Sequence, residues 1–372
     1  MIVLIVVNVD TFFISHRIEI GKAALKDGHT VHVATTLTQS RSKLEACGFT
    51  VHPIDIDRSS TGIVSLTKLF VSFLVLFWKL RPDILHLVTI KPVLIGGIAA
   101  RFSPVGGILY SISGLGHIFI SEGVISALRR KIVTCVYRFV LRARNIRIIV
   151  QNPDDRLSIA NMGCNLSNQI IIIPGSGVNL SLYRLVPMPK GEVVVLMVAR
   201  LLITKGVEDF LVSVAYLRRS GVQAKFLLAG DIDTSNPAAI NRSKLVKLAS
   251  ESGVQLLGHR SDIVNLMEKS HIIVLPSYRE GLPKVLIEAA AIGRAVVTTD
   301  VAGCRDAIEP DVTGFLVPPR NPKLLAEKIK LLIEDRSLSV SMGLAGRKRA
   351  EVLFNINAVV ARHLKIYQEL CQ

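Results

Sequence analysis

Short apolar runs rich in valine and isoleucine alternate with longer stretches in which apolar residues recur every three or four positions, almost from end to end of the chain. A strand covered on both faces reads as a continuous apolar run, and a helix lying on it as a one-sided pattern. The alternation therefore predicts an α/β fold of parallel sheets covered by helices. Strands are expected in the first half at Ile2–Val7, Thr30–Ala34, Ile84–Leu87, Gly107–Ser111, Ile146–Val150 and Gln169–Ile173. In the second half they are expected at Val193–Val198, Lys225–Ala229, Val254–Leu257, Ile272–Leu275 and Ala295–Thr298. Between the two sets, Leu182–Gly191 carries Pro187, Pro189 and Gly191 and reads as a linker. A chain of 372 residues, half of them apolar, suffices for two cores.

Two helical stretches break the ordinary pattern. From Ile63 to Leu80 the polar residues Ser65, Lys68, Ser72 and Lys79 fall in one narrow stripe, which leaves a very broad apolar surface including Phe70, Phe73, Phe77 and Trp78. Spanning a membrane, lying in its plane, or burial between the sheet and neighbouring elements are the open placements, and burial is the default. Val124–Arg147 contains no acidic residue, and Lys131, Arg138 and Arg142 share a helical face at spacings of seven and four. Taken together, the two helices lead to the expectation that the first domain associates peripherally with the anionic inner surface of the membrane.

Charge sharpens that picture. The net charge is +16, with 20 Lys and Arg against 10 Asp and Glu in residues 1–185 and 25 against 19 in 186–372. A basic first half suits anionic lipid or phosphorylated ligands. Nucleic acid is not expected as a partner, because no Arg/Gly-rich arm or zinc-finger spacing occurs and aromatics are few. Five scattered cysteines without a C-x-x-C pair argue against a disulfide framework and a structural zinc, and fit a reducing cytoplasm. The apolar start lacks a basic flank and a cleavage site, so it reads as a first strand rather than a signal peptide.

Chemistry-bearing residues gather in the second half. Leu275-Pro-Ser-Tyr-Arg-Glu280-Gly281-Leu282-Pro283 leads from a strand into a helix that carries Glu288 more than a turn inside. Two carboxylates so placed suit two distant hydroxyl-bearing parts of one extended ligand; a helix-dipole Glu plus an ordinary surface Glu is the plain alternative. Arg200 and Lys205 follow directly on the strand ending at Ala199, where open α/β sheets bind ligands, and two cations there suit a diphosphate. Gly303 opens a helix-start segment whose N–H groups suit a phosphate or sugar oxygen, unless it is a simple turn.

Arg200-x4-Lys205-Gly206, Glu280-x7-Glu288, Gly303-Cys-Arg-Asp306 and Gly314-Phe-Leu-Val-Pro-Pro319 resemble the C-terminal domain of family-4 retaining glycosyltransferases with the GT-B fold. In the first half, Phe12-Phe-Ile-Ser15-His16-Arg17, Asp83-Ile-Leu-His86 through Lys91-Pro, Ser113-Gly-Leu-Gly116 and Gln151-Asn-Pro-Asp-Asp155 resemble the branch that builds bacterial capsule, O-antigen and lipid-linked oligosaccharides. The resemblance implies two Rossmann-like domains facing a cleft, the first over residues 1–181 with 355–372 returning to it, the second over 192–354. It implies that Arg200 and Lys205 hold the donor diphosphate, that Glu280 with Gly281 and Leu282 meets the donor sugar, and that Glu288 takes the ribose. Gly230 and Gly303 complete the donor side, and no metal or other cofactor is implied.

On the acceptor side the expected residues are Asn8, Ser15, His16, Arg17 and Lys91. His117, in the loop facing the cleft, is read as orienting acceptor or donor sugar and joins Glu280, Arg200 and Lys205 in the expected catalytic set. His16 and Arg17 are read as meeting an acceptor phosphate, and His86 as packed at its strand end. The sequence departs from many relatives in having Asn8-Val-Asp-Thr where a Gly-Gly turn is usual, which puts a phosphate contact there in doubt. The expected reaction moves a sugar from a UDP-sugar to a saccharide on a polyprenyl diphosphate at the inner face of the cytoplasmic membrane. A nucleotide-sugar 2-epimerase or a non-catalytic binding scaffold are the alternatives. Asp55-x-Asp57 and Asp231-x-Asp233 are discounted as metal sites, and Gly114-x-Gly116 and Gly175-x-Gly177 lack the third glycine of a dinucleotide site.

Overall fold

A computed structural model describes residues 1–56, 62–114, 124–162, 169–233, 236 and 238–372. It contains two compact units, residues 1–176 with 357–372 and residues 177–356. The first holds β1 (Ile2–Val9), β2 (Thr30–Thr36), β3 (Thr50–Pro53), β4 (Ile84–Val88), β5 (Gly107–Ile112), β6 (Ile146–Val150) and β7 (Ile170–Ile172). They form one parallel sheet in the order β3-β2-β1-β4-β5-β6-β7. Alternate side chains of these strands face opposite ways. Val3, Ile5 and Val7 bury against Phe13, Ile20 and, from the Ile356–Leu370 helix, Val359, Ile366 and Tyr367. Leu4, Val6, Leu85 and Leu87 bury against Phe73, Phe77 and Tyr137.

The second unit holds β8 (Val194–Val198), β9 (Lys225–Ala229), β10 (Gln255–Gly258), β11 (Ile272–Leu275), β12 (Ala295–Thr299) and β13 (Gly314–Val317), all parallel, in the order β10-β9-β8-β11-β12-β13. Its helices start where side chains can take orphan N–H groups: Asn241 accepts from Lys244, Asn321 from Leu324 and Asp335 from Leu338. In each sheet the strand order reverses beside the first strand, between β1 and β4 and between β8 and β11. Loops leaving adjacent strands diverge there to opposite faces, which opens a crevice at the carboxyl edge.

Three expectations need correction. Leu182–Gly191 is not a free linker but part of the second unit. The guanidinium of Arg294, 1% exposed, draws the segment in by donating to the carbonyls of Val186 at 3.0 Å and Pro187 at 3.2 Å. The basic helix spans Val124–Val140, so Arg142 lies beyond it, and Arg138 Nε donates to the Met162 carbonyl. Finally, only 22% of the Ile63–Leu80 helix is buried. Leu69, Phe73, Leu76 and Phe77 meet the sheet, while Val64, Val71, Val75 and Trp78 are exposed. The helix has two apolar faces and the sheet covers one.

Candidate functional site

β8 ends at Val198, and the chain passes through Arg200 into one tight turn, Ile203–Lys205, before the Val207–Arg219 helix. Gly206 joins turn to helix at φ +68°, and a Cβ there would lie 1.9 Å from the Pro276 carbonyl oxygen. Only glycine permits that approach. The turn is thereby laid on the segment following β11, which brings Lys205 Nζ to 2.5 Å from Glu280 Oε1. Ser277 Oγ donates to the same oxygen at 2.7 Å. After β12, Gly303 at φ +81° would place a Cβ 2.4 Å from the Gly281 carbonyl, and Glu280 N–H donates to the Ala302 carbonyl at 3.2 Å. Loops from three strands thus lock backbone to backbone around one ion pair.

Arg200 is more exposed, and its Nη1 lies 3.2 Å from Asp233 Oδ2. Gly230 brings this partner in: at φ +148° a Cβ would meet the Ala199 carbonyl at 1.8 Å, and Leu201 N–H donates to the Asp231 carbonyl at 3.0 Å. Asp233, one of the discounted acidic pair, is therefore a partner of Arg200. Among the described residues no group of three or more His, Cys, Asp or Glu is placed to hold a metal ion. Asp57 of the other pair lies outside the described residues.

Glu288 is not an ordinary surface residue. It is buried in the Lys284–Ile292 helix, where its Oε1 accepts from the Tyr183 hydroxyl at 2.6 Å and pairs with Lys284 Nζ at 3.2 Å. Burial pushes its carboxyl above the usual range, against the pull of Lys284 and Tyr183. Leu282 is buried in the core. Gly303 offers no free N–H, because the Asp306 carboxylate accepts it at 2.9 Å. Beside Glu280, burial first and then the Glu280 charge push the Cys304 thiol up to about 12, which keeps it protonated and unreactive.

In the first unit the residues singled out from sequence occupy the carboxyl edge of β1 and β4. Asn8 is half-buried near the end of β1, and Lys91 is half-buried just before a turn of helix at Pro92–Gly96. Asp10 is fully buried, and its carboxylate accepts from Thr11, from Thr38 twice and from Ser40. Burial alone would raise its pKa, but these hydrogen bonds outweigh it and the net shift is downward. Ser15 Oγ bonds His16 Nδ1 at 2.6 Å, and the His16 ring stacks on Phe12 at 4.2 Å.

Arg17 does not stand open to a phosphate. It is 2% exposed, donates to the His16 carbonyl at 2.9 Å and to Ser113 Oγ at 3.5 Å, and burial pushes its pKa down to about 10. His86 is packed at its strand as expected, between Tyr367 OH and Ser111 Oγ, each at 2.7 Å. Gly116 and His117 lie outside the described residues.

Chemically, the second unit offers two lysine and arginine cations, each matched by a carboxylate, at a sheet edge built to receive a ligand. An ammonium has three donors. Lys205 can therefore keep Glu280 and still donate to a phosphate oxygen. Sequence reading missed Ser277, Tyr183 and the role of Asp233. Only Asp233 had a signal, since parallel neighbours β8 and β9 must end side by side.

Residues 186–349 match the family described as glycosyl transferases group 1, and residues 2–152 the family described as glycosyl transferase 4-like. The N,N'-diacetylbacillosaminyl-diphospho-undecaprenol alpha-1,3-N-acetylgalactosaminyltransferase of Campylobacter jejuni is 29% identical over 95% of each chain. The UDP-Gal:alpha-D-GlcNAc-diphosphoundecaprenol alpha-1,3-galactosyltransferase of Escherichia coli is 24% identical over 75% of this chain and 73% of its own. In fold, a sucrose-phosphate synthase of Thermosynechococcus elongatus superposes with a TM-score of 0.82 at 21% identity, over 100% of this chain and 99% of that one. The matched families are transferases, which sets aside the epimerase reading. Each half of the chain thus matches a family of glycosyl transferases, and the protein is a glycosyltransferase of the GT-B fold.

Proposed function

We propose that this protein transfers a hexosyl or acetamidohexosyl group, with retention and without a metal, from a UDP-sugar to a saccharide carried on a polyprenyl diphosphate. The observation that carries the reading is the Lys205–Glu280 pair at the β8/β11 switch point. The names of the Campylobacter and Escherichia relatives support the acceptor class, and the latter supports the donor. Both relatives form alpha linkages, and common UDP-hexoses carry their sugar in alpha linkage, which supports retention.

In this reading Lys205 and Arg200 bind the diphosphate, Glu280 orients the sugar, and Glu288 holds the ribose. The bond from the sugar's anomeric carbon to the phosphate oxygen breaks and one to the acceptor oxygen forms. The acceptor's proton passes to the departing phosphate, and UDP leaves. A lipid-borne acceptor places the reaction at the cytoplasmic face of a membrane.

Transfer is tested in EDTA with UDP-hexoses and UDP-N-acetylhexosamines against a polyprenyl-diphosphate-linked saccharide, reading the product anomer by NMR. An alpha product, with Glu280→Gln lowering turnover on the order of 100-fold, is expected. A beta product sinks retention, and an unaffected variant sinks the role of Glu280.

A further inference from the structure

On a helical projection of about 100° per residue, Val64, Val71, Val75 and Trp78 fall within a sector of roughly 60°, nearly opposite the buried Phe73. These four are 70%, 47%, 61% and 51% exposed. The apolar surface continues past the helix. Trp78 Nε1 donates to the Phe102 carbonyl at 2.9 Å, Phe102 is 58% exposed, and the Arg101 guanidinium lies 5.3 Å from the ring centre of Phe139, itself 44% exposed. Lys68 and Lys79 border the stripe along one side, and Arg101 adds a cation beside Phe139, all three exposed. Neither Ile63–Leu80 nor Val124–Arg147 contains an acidic residue.

A contiguous exposed apolar patch marks an interaction surface. An apolar strip edged by cations, on helices without an acidic residue, is complementary to the acyl–headgroup boundary of an anionic bilayer, where apolar side chains sink and lysines reach the phosphates. A second copy of the chain would set this cationic border against its own like charges. We infer that the outer face of the Ile63–Leu80 helix, with Phe102 and Phe139, docks in the plane of an anionic bilayer. The inference deepens the membrane-face reading above, but it stands on this geometry alone. Its test reads lipid binding rather than sugar transfer, so the two fail separately.

Trp78 is the only tryptophan in the chain and sits in the docking face, so it reports insertion without a label. The full chain is mixed with vesicles of phosphatidylglycerol and phosphatidylcholine in equal parts, or of phosphatidylcholine alone, and followed by flotation and Trp78 emission. Flotation with a blue shift on the anionic vesicles, weakened by salt, is expected. Val71→Asp with Val75→Asp, and separately Lys68→Glu with Lys79→Glu, should each weaken partitioning at least about tenfold. These side chains are exposed, so the urea midpoint should match the unmodified chain, which separates lost docking from lost folding. Unchanged Trp78 emission on anionic vesicles, or a Val71/Val75 variant that floats like the original, overturns the inference. So does a concentration-dependent dimer in sedimentation that this variant abolishes, since that would assign the surface to a second copy.

Discussion

Gly206 shows how one residue holds the candidate donor site together. Its left-handed backbone and the Pro276 carbonyl at 1.9 Å from any added Cβ leave no room for a side chain. Gly206→Ala must move the turn carrying Lys205 off the loop carrying Glu280. We expect a loss of about 2–4 kcal/mol of stability, measured by urea unfolding, together with weaker nucleotide binding. A variant as stable as the parent would contradict the packing described here. At this scale the sequence was informative about residue type at ligand-facing strand ends and silent about partners. Lys205 and Glu280 could be singled out 75 positions apart, but nothing in their spacing showed that they pair. The buried state of Arg17 and Glu288 was equally invisible, because both are charged and burial depends on neighbours distant in the chain.

The strands were legible as elements, since a parallel strand buried on both faces needs a run of valine and isoleucine. The exceptions are β3, which contains His52 and Pro53, and β13, which opens on Gly314 and runs straight into Pro318 and Pro319. The Ile63–Leu80 helix was legible in extent but not in placement, because periodicity finds an apolar face without saying what covers it.

The Ile356–Leu370 helix adds a property that periodicity does not show: it carries buried His363 and Tyr367 onto the sheet beside His86 and Arg17. Burial, with Arg17 and Arg362 nearby, pushes His363 down from 6.5 to about 3, and burial, with His363 and Arg17, pushes His86 well below 6.5. Between those values the unfolded chain binds a proton that the folded one refuses. The stability these histidines contribute is therefore complete above pH 6.5 and is lost as pH falls toward 3. Urea midpoints followed by Trp78 should fall from neutral pH to about 4.5, and less steeply in His363→Gln. Equal slopes for the two chains would contradict the assignment.

At the scale of the whole molecule, the sheet order puts a switch point in each unit and gathers chemistry-bearing side chains there, though with different states of readiness. In the second unit the cations and carboxylates are already paired around locked loops; in the first, Asp10 staples a loop and Arg17 is buried. This asymmetry is why the account assigns the nucleotide to residues 177–356. The α/β class was readable from alternating runs. Strand order was not, because it depends on which helices cross which way.

The most direct test of the donor assignment is calorimetric titration of UDP, in EDTA, into the parent chain and into Lys205→Ala. The account predicts metal-free binding, weakened roughly 10- to 100-fold in the variant, as loss of one charge-assisted hydrogen bond of about 1.5–3 kcal/mol gives. UDP binding with equal affinity to both chains, or binding only when a divalent metal is restored, would contradict it.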